Sequence, residues 1–226
     1  LSRASGFGSA AEYVTVPAER IGLVPDGLDL VDAAALPVAT TAVTALRDKA
    51  GLRPGERLLV RGAAGGVGNT AVQLGRAYGA EVTALARAAN LDFVRGLGAH
   101  EAVDHRSVRP AELGRFDVVL DTVGTDLRTF RRLLNPGGRM VTIAFDLERP
   151  AASLGYLAAS TVHGHGRVRF FSGNPTRADF DDLARHVVEG KLSPAVDTVF
   201  PLEETAAAHR ALEAGGVQGK YVVKVA

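Results

Sequence analysis

The stretch "LLVRGAAGGVGNT", Leu58 to Thr70, decides the fold class. Leu58, Leu59 and Val60 are apolar without alternation, as in a strand buried on both faces. Glycines and alanines follow, and from Asn69, Thr70 and Ala71 the spacing becomes helical. The turn reads Ala63-x-Gly65-x-x-Gly68, a dinucleotide fingerprint with Ala at its first position. In such a turn glycines allow a tight bend, close approach of a pyrophosphate and close helix packing. The unpaired N–H groups and dipole at the helix start then favour phosphate. An ordinary strand-to-helix turn is the competing interpretation of the same letters.

The rest of the chain supports the first interpretation. Apolar runs recur at Arg57–Gly62, Glu81–Ala86, Ala102–Asp104, Phe116–Thr122 and Arg139–Phe145. Helical spacing lies between most of them, as with Val67, Ala71, Leu74 and Tyr78. This alternation predicts an α/β domain, a doubly wound parallel Rossmann sheet, with ligands at the carboxyl ends of its strands. Only "HRSVRPAELGR" separates the third strand from the fourth, so that crossover holds at most a turn or two of helix. "LRPGER" and "NPGGR" punctuate the starts of the first and fifth strands. After Pro175, "TRADFDDLARHVVEG" reads as an amphipathic helix. A strand ending at Pro201, a helix over Leu202–Ala214 and a final strand in "GKYVVKVA" follow. The nucleotide domain is expected at 33–174, between flanks 1–32 and 175–226 that belong together. "LSRASGFGSAAEYVTVP" opens without Met, and Ala11, Tyr13 and Val16 suggest a strand pairing with unseen neighbours, as in the middle of a longer chain.

Composition excludes several classes. Among 226 residues, 26 Lys and Arg balance 25 Asp and Glu with no basic tract, which argues against nucleic acid as the main partner. With no cysteine there is no disulfide, thiolate ligand or Cys nucleophile. No apolar run approaches the ~20 residues of a membrane span. No signal peptide is visible, so the cytoplasm is the expected location. The turn ends Gly68-Asn69-Thr70, without the Gly-Lys-Ser/Thr of a nucleoside-triphosphate loop. A methyltransferase would place an acid after the second strand, and a short-chain dehydrogenase needs Tyr-x-x-x-Lys, which neither Tyr156 nor Tyr221 begins. The second strand ends in Arg87, 24 residues after Ala63, close to the ~20 expected for the ribose-reading position. A guanidinium there pairs with a 2′-phosphate that a carboxylate would repel, favouring NADPH over NADH. The alternative is a solvated arginine at a strand end.

"VRGAAGGVGNTAVQLGRAYGAEVTAL", "NLDFVRGLGAHEAVDHR", "FDVVLDTVG", "NPGGRMV" and "GKYVVKV" together resemble the zinc-independent quinone reductase branch of the medium-chain dehydrogenase/reductases. The likeness runs in register from about Gly6 to Val225. It implies a Rossmann domain with remnant parts of a GroES-like catalytic domain at both chain ends. It implies the pyrophosphate on Ala64, Gly65, Gly66, Val67 and Gly68, Arg87 at the 2′-phosphate and His105 against the adenine. Val123 and Gly124 would line the ribose side, and Ile143, Ala144 and Phe145 would meet the nicotinamide ribose. Phe170 and Phe171 would present backbone to the carboxamide, with Thr41 near the nicotinamide ring. The strand Arg167–Ser172 would pair two copies into a homodimer. The Cys of zinc-dependent relatives is absent from "LPVATT", so the family's catalytic zinc site is not expected. The chain departs from the family in its thin third crossover and in "VATT", one residue shorter than usual.

The resemblance implies NADPH-dependent hydride transfer to a small apolar carbonyl, quinone, enone or enoyl acceptor. The alternatives are a zinc-free alcohol or aldehyde oxidoreductase and a non-catalytic NADPH-binding protein. Family members take the proton-donating group, often a Tyr, from the N-terminal portion, so no catalytic residue is assigned. Other residues have plainer interpretations. His163 and His165 read as a loop rather than a metal pair, and Asp121 as a carboxylate that orients a loop. Thr41 reads also as a helix cap, Phe170 and Phe171 as core or interface, and Lys220 as a solvated side chain snorkelling along apolar surface.

Overall fold

A computed structural model describes residues 11, 13–146, 148–160 and 166–225. In chain order its elements are α1 (Leu30–Ala35), α2 (Ala39–Val43), β1 (Arg57–Arg61), α3 (Gly66–Ala77), β2 (Glu81–Ala86), α4 (Leu91–Gly96), β3 (Glu101–Asp104), β4 (Phe116–Asp121), α5 (Leu127–Arg131) and β5 (Leu134–Thr142). Then come α6 (Pro150–Ser160), β6 (Val168–Phe170), α7 (Arg177–Val188), β7 (Val196–Pro201), α8 (Thr205–Ala214) and β8 (Lys220–Lys224).

Among the described residues β1 to β6 form one parallel sheet in the order β3-β2-β1-β4-β5-β6. This is the doubly wound Rossmann order, with β1 at the centre and the chain reversing direction across β1 and β4. The apolar run of β1 serves both faces. Leu58 and Val60 pack with Val72 and Leu74 of α3 on one side. Leu59 packs with Phe116, Val119, Phe130 and Met140 on the other. The third crossover is a single 3-10 turn, Pro110–Leu113, as its length predicted.

Close helix-to-sheet packing explains two glycines. A Cβ on Gly68 would lie 2.1 Å from the Gly62 carbonyl oxygen, and one on Gly75 would lie 2.7 Å from Leu58 Cδ2. Helix α3 therefore seats directly on β1 and its turn.

Several boundaries differ from the sequence expectation. Strand β5 begins at Leu134 instead of Arg139, because Leu134 pairs with Phe116 before a register slip carries the ladder on at Val118. It ends at Thr142, where residues 143–145 leave the ladder. The stretch expected as a helix from Leu202 starts as a 3-10 turn, Leu202–Glu204, before α8. Residues 13–17 form no strand, and Tyr13 is 90% exposed. Thr41 lies inside α2, whose N-cap is Val38, so it is not the cap.

The C-terminal segment returns to the domain. Leu183 and Leu192 pack on Leu36 and Ala39. Gln73 of α3 donates to the Ser193 carbonyl at 3.0 Å and accepts from the Ser193 N–H at 2.8 Å. Strands β7 and β8 pair in parallel as a separate ribbon. No helix among the described residues is long and apolar enough to cross a membrane.

Gly68→Ala is expected to cost about 1–3 kcal/mol through overpacking. Gly65→Ala is expected to leave stability within ~0.5 kcal/mol, because a Cβ there meets only the Gly62 oxygen, at 3.5 Å. Urea unfolding of both variants checks this contrast.

Candidate functional site

The loops after β1, β2 and β4 bound a cleft of about 670 Å³ at the carboxyl edge of the sheet. Its floor is the glycine turn. Gly65 is the N-cap of α3 and provides no side-chain cap, so the helix start opens into the cleft with uncapped amides. Asn69 braces this turn, its Nδ2 donating to the Gly65 and Gly66 carbonyls at 2.9 Å each. The space a Gly65 Cβ would enter is free of close protein contact, which leaves the backbone open to a ligand.

Beneath the cleft lies a buried ion pair. Arg61 at the end of β1 donates from Nη1 to Asp121 Oδ1 at 2.8 Å and to the Thr125 carbonyl at 2.7 Å. Its guanidinium stacks on Phe130 at 3.6 Å. Asp121, fully buried, also accepts from the N–H groups of Val123 at 3.0 Å and Gly124 at 3.2 Å, and from the Thr142 hydroxyl at 3.3 Å. Burial pushes the Asp121 carboxyl above its ordinary range, against the pull of Arg61 and these donors. Burial likewise lowers the Arg61 guanidinium. Asp121 thus orients the loop after β4.

The residues expected at a dinucleotide site fall into four neighbourhoods. Ala64, Gly65, Arg87, His105 and Val123 line the main cleft. Gly66, Val67 and Gly68 form the first turn of α3. Gly124, at φ +86°, packs against the residues after β5, where its Cβ would lie 2.6 Å from the Phe145 nitrogen. Ile143, Ala144 and Phe145 follow β5, and Phe145 meets Phe170 edge-on at 5.9 Å between centroids. Thr41 and Phe171 line a separate recess of about 160 Å³. His105 donates from Nδ1 to the Ala86 carbonyl at 2.8 Å, since a carbonyl only accepts. His163 and His165 lie outside the described residues.

The sequence missed three participants. Arg61 lay inside the apolar run Arg57–Gly62 and was not singled out. The loop from Gly215 to Gly219 reaches the cleft from the far end of the chain: the Gly219 N–H donates to the Ala64 carbonyl at 2.7 Å. The Arg87 guanidinium lies against Gly215, whose Cβ would be 2.8 Å from Nη2. Lys220, expected to be solvated with its stem along apolar surface, lays that stem over Gly66, with Cδ 2.8 Å from where a Cβ would be. The one sequence signal was the glycine-rich "GGVQGK".

Comparison with known proteins agrees with this architecture. Residues 97–223 match the family described as zinc-binding dehydrogenase. The chain belongs to this family, within the medium-chain dehydrogenase/reductases. It is 32% identical over 96% of its length to mouse NAD(P)H oxidoreductase RTN4IP1, mitochondrial, of which it spans 61%. It is 31% identical over 97% of its length to the trans-enoyl reductase pgmF of Aspergillus terreus, of which it spans 66%. A solved NAD-dependent alcohol dehydrogenase superposes with a TM-score of 0.81 at 31% identity, over 97% of this chain and 66% of that one. The chain thus spans about 61–66% of these relatives' lengths. Despite the family's description, it contains no cysteine. Among the described residues no group of three or more His, Cys, Asp or Glu could hold a metal ion.

Asp121→Asn would leave Arg61 buried without its counter-charge and is expected to cost about 3–5 kcal/mol. Arg128→Ala, on the exposed side of α5, is expected to stay within ~0.5 kcal/mol. Chemical denaturation compares the two variants directly.

Proposed function

We propose that the chain is the cofactor-binding portion of an NADPH-dependent oxidoreductase that delivers hydride to a quinone, enone or enoyl acceptor without zinc. One observation carries this reading: the uncapped start of α3, with a cradle at Gly65 that a Cβ would fill, faces Arg87 within a single cleft. The relatives named as an NAD(P)H oxidoreductase and a trans-enoyl reductase support it.

In this reading the backbone from Ala64 to Gly68, at the uncapped start of α3, holds the pyrophosphate and Arg87 the 2′-phosphate. His105 stacks on the adenine, and Val123 and Gly124 meet its ribose. Ile143, Ala144 and Phe145 meet the other ribose, and Phe170, Phe171 and Thr41 position the nicotinamide. Lys220 adds positive charge beside Gly66. When bound, the reduced nicotinamide supplies a hydride to the acceptor's β-carbon or quinone ring. Residues 33–174 form the nucleotide domain, and 1–32 with 175–226 belong to a catalytic domain that contributes the acid. Two copies pair through the edge Arg167–Ser172, where β6 has β5 as its partner on one side.

The alcohol dehydrogenase likeness favours a second reading, a zinc-free alcohol or aldehyde oxidoreductase. A third is a binding protein without catalysis, to which the same cleft is suited.

Fluorescence titration is expected to show NADPH binding at least about tenfold more tightly than NADH, as one charge-assisted pair allows. Arg87→Ala is expected to abolish that difference while leaving NADH affinity nearly unchanged. Lys220→Met is expected to weaken both coenzymes alike. Equal affinity for the two coenzymes in the unmodified chain would sink the role of Arg87.

A further inference from the structure

Arg87 and the glycine loop that follows α8 meet in the cleft at the carboxyl edge of the sheet. Arg87 follows β2, and its carbonyl accepts the Asn90 N–H at 2.8 Å, closing the 3-10 turn Ala88–Asn90. Asn90 is buried and ties this turn to the loop. Its Nδ2 donates to the Gly216 carbonyl at 3.4 Å, and its Oδ1 accepts from Gln218 Nε2 at 3.2 Å. Other contacts hold the loop independently of Arg87. The Gly215 N–H donates to the Leu212 carbonyl at 3.1 Å, the Gln218 N–H to Asp197 Oδ2 at 2.7 Å and the Gly219 N–H to the Ala64 carbonyl at 2.7 Å.

The Arg87 side chain is exposed, and among the described residues it forms no ion pair. Its guanidinium rests against Gly215 instead. A Cβ on Gly215 would lie 2.8 Å from Nη2, 3.1 Å from Nη1 and 3.3 Å from Cζ, all inside the ~3.5–4.0 Å of relaxed non-bonded packing. A Cβ on Gly216 would come no closer to the same group than 3.9 Å. Gly215 has φ +72° and ψ −176°, a conformation that glycine almost alone adopts, so the backbone by itself requires a glycine there. The seating of the Arg87 fork beside that glycine is a separate feature, because a flexible arginine on the surface has many other directions open to it.

We propose that Gly215 is a positioning residue for coenzyme choice: because it has no side chain, the Arg87 fork is seated where a 2′-phosphate meets it. This role rests on the coenzyme reading of the cleft and extends it. Selection of the 2′-phosphate then depends on the returning segment as well as on the residue after β2. A guanidinium fork matches phosphate oxygens in pairs and is directional, so displacing it costs more than displacing a point charge. NADH carries no phosphate at that position, so its affinity does not depend on where the fork lies.

The test is fluorescence titration of G215A with NADPH and with NADH, read as the ratio of the two affinities. The alanine methyl is expected to push the fork aside and lower the NADPH preference from at least about tenfold to under about threefold, with NADH affinity within about twofold of the unmodified chain. R87K/G215A is expected to match R87K within about twofold, because a lysine has no fork for the methyl to strike. Q218A frees the loop from Asn90 without straining the backbone, and it is expected to lower the preference by about twofold or more. If G215A does not fold, Q218A decides by the same ratio, and an unchanged value there overturns the proposal. An unchanged preference in a folded G215A overturns it too, and leaves the reading of Arg87 standing. So does equal weakening of both coenzymes in G215A, since Gly215 would then only shape the cleft, or a loss in R87K/G215A as large as that in G215A. Equal affinities in the unmodified chain would remove the coenzyme reading of Arg87, and the role of Gly215 with it.

Discussion

The ion pair between Arg61 and Asp121 is the contact on which the cleft at the carboxyl edge of the sheet depends. Removing two charges from water costs several kcal/mol per ion, and their attraction repays this only when the remaining polar atoms are also satisfied. Here they are. Both carboxylate oxygens of Asp121 accept, from Arg61, Val123, Gly124 and Thr142. The guanidinium also donates to the Thr125 carbonyl and stacks on Phe130. One carboxylate therefore holds the ends of β1, β4 and β5 in register and sets the direction of the loop after β4. The Thr122 hydroxyl adds a donor to the Arg61 carbonyl at 2.8 Å, tying the same loop to the strand that leads into the glycine turn.

A second coupling comes from the far end of the chain. The hydrogen bond from Gly219 to Ala64 makes the glycine turn part of a bridge to the returning segment. Gly219 sits at φ +92° with its Cβ position 2.2 Å from the Ala195 carbonyl, so no other residue fits. Asn90 joins this contact, accepting from Gln218 at 3.2 Å and donating to the Gly216 carbonyl at 3.4 Å. A phosphate at the start of α3 would thus meet groups from residues 64–68 and from 215–220. The affinity of the turn depends on where the β7–β8 ribbon is held.

Legibility in the sequence followed the range of the physics. Strand β2 was readable to the residue because both its faces are buried, and flanking Pro and Gly placed the end of β7 at Pro201 and the start of β8 within a residue. Strand β5 was misplaced at both ends. Turn letters such as "NPGG" signal a break, but here Phe116 and Leu134 pair across them before a bulge restores the register. Thr41 looked like a cap because a threonine before an apolar run resembles one, whereas packing of Ala39 and Ala42 extends α2 around it.

By itself the sequence determined the doubly wound sheet, the position of the glycine turn and the charge of the residue after β2. These rest on local periodicity, backbone freedom and side-chain charge, which act within a few neighbours. Tertiary structure alone decided that Arg61 is a buried cation beneath the cleft, that Lys220 crosses Gly66, and that Gly215 lies beside Arg87. Each of these depends on contacts between residues distant in the chain. Burial and pairing of a charge are set by what the fold brings beside it, which no short run of letters contains.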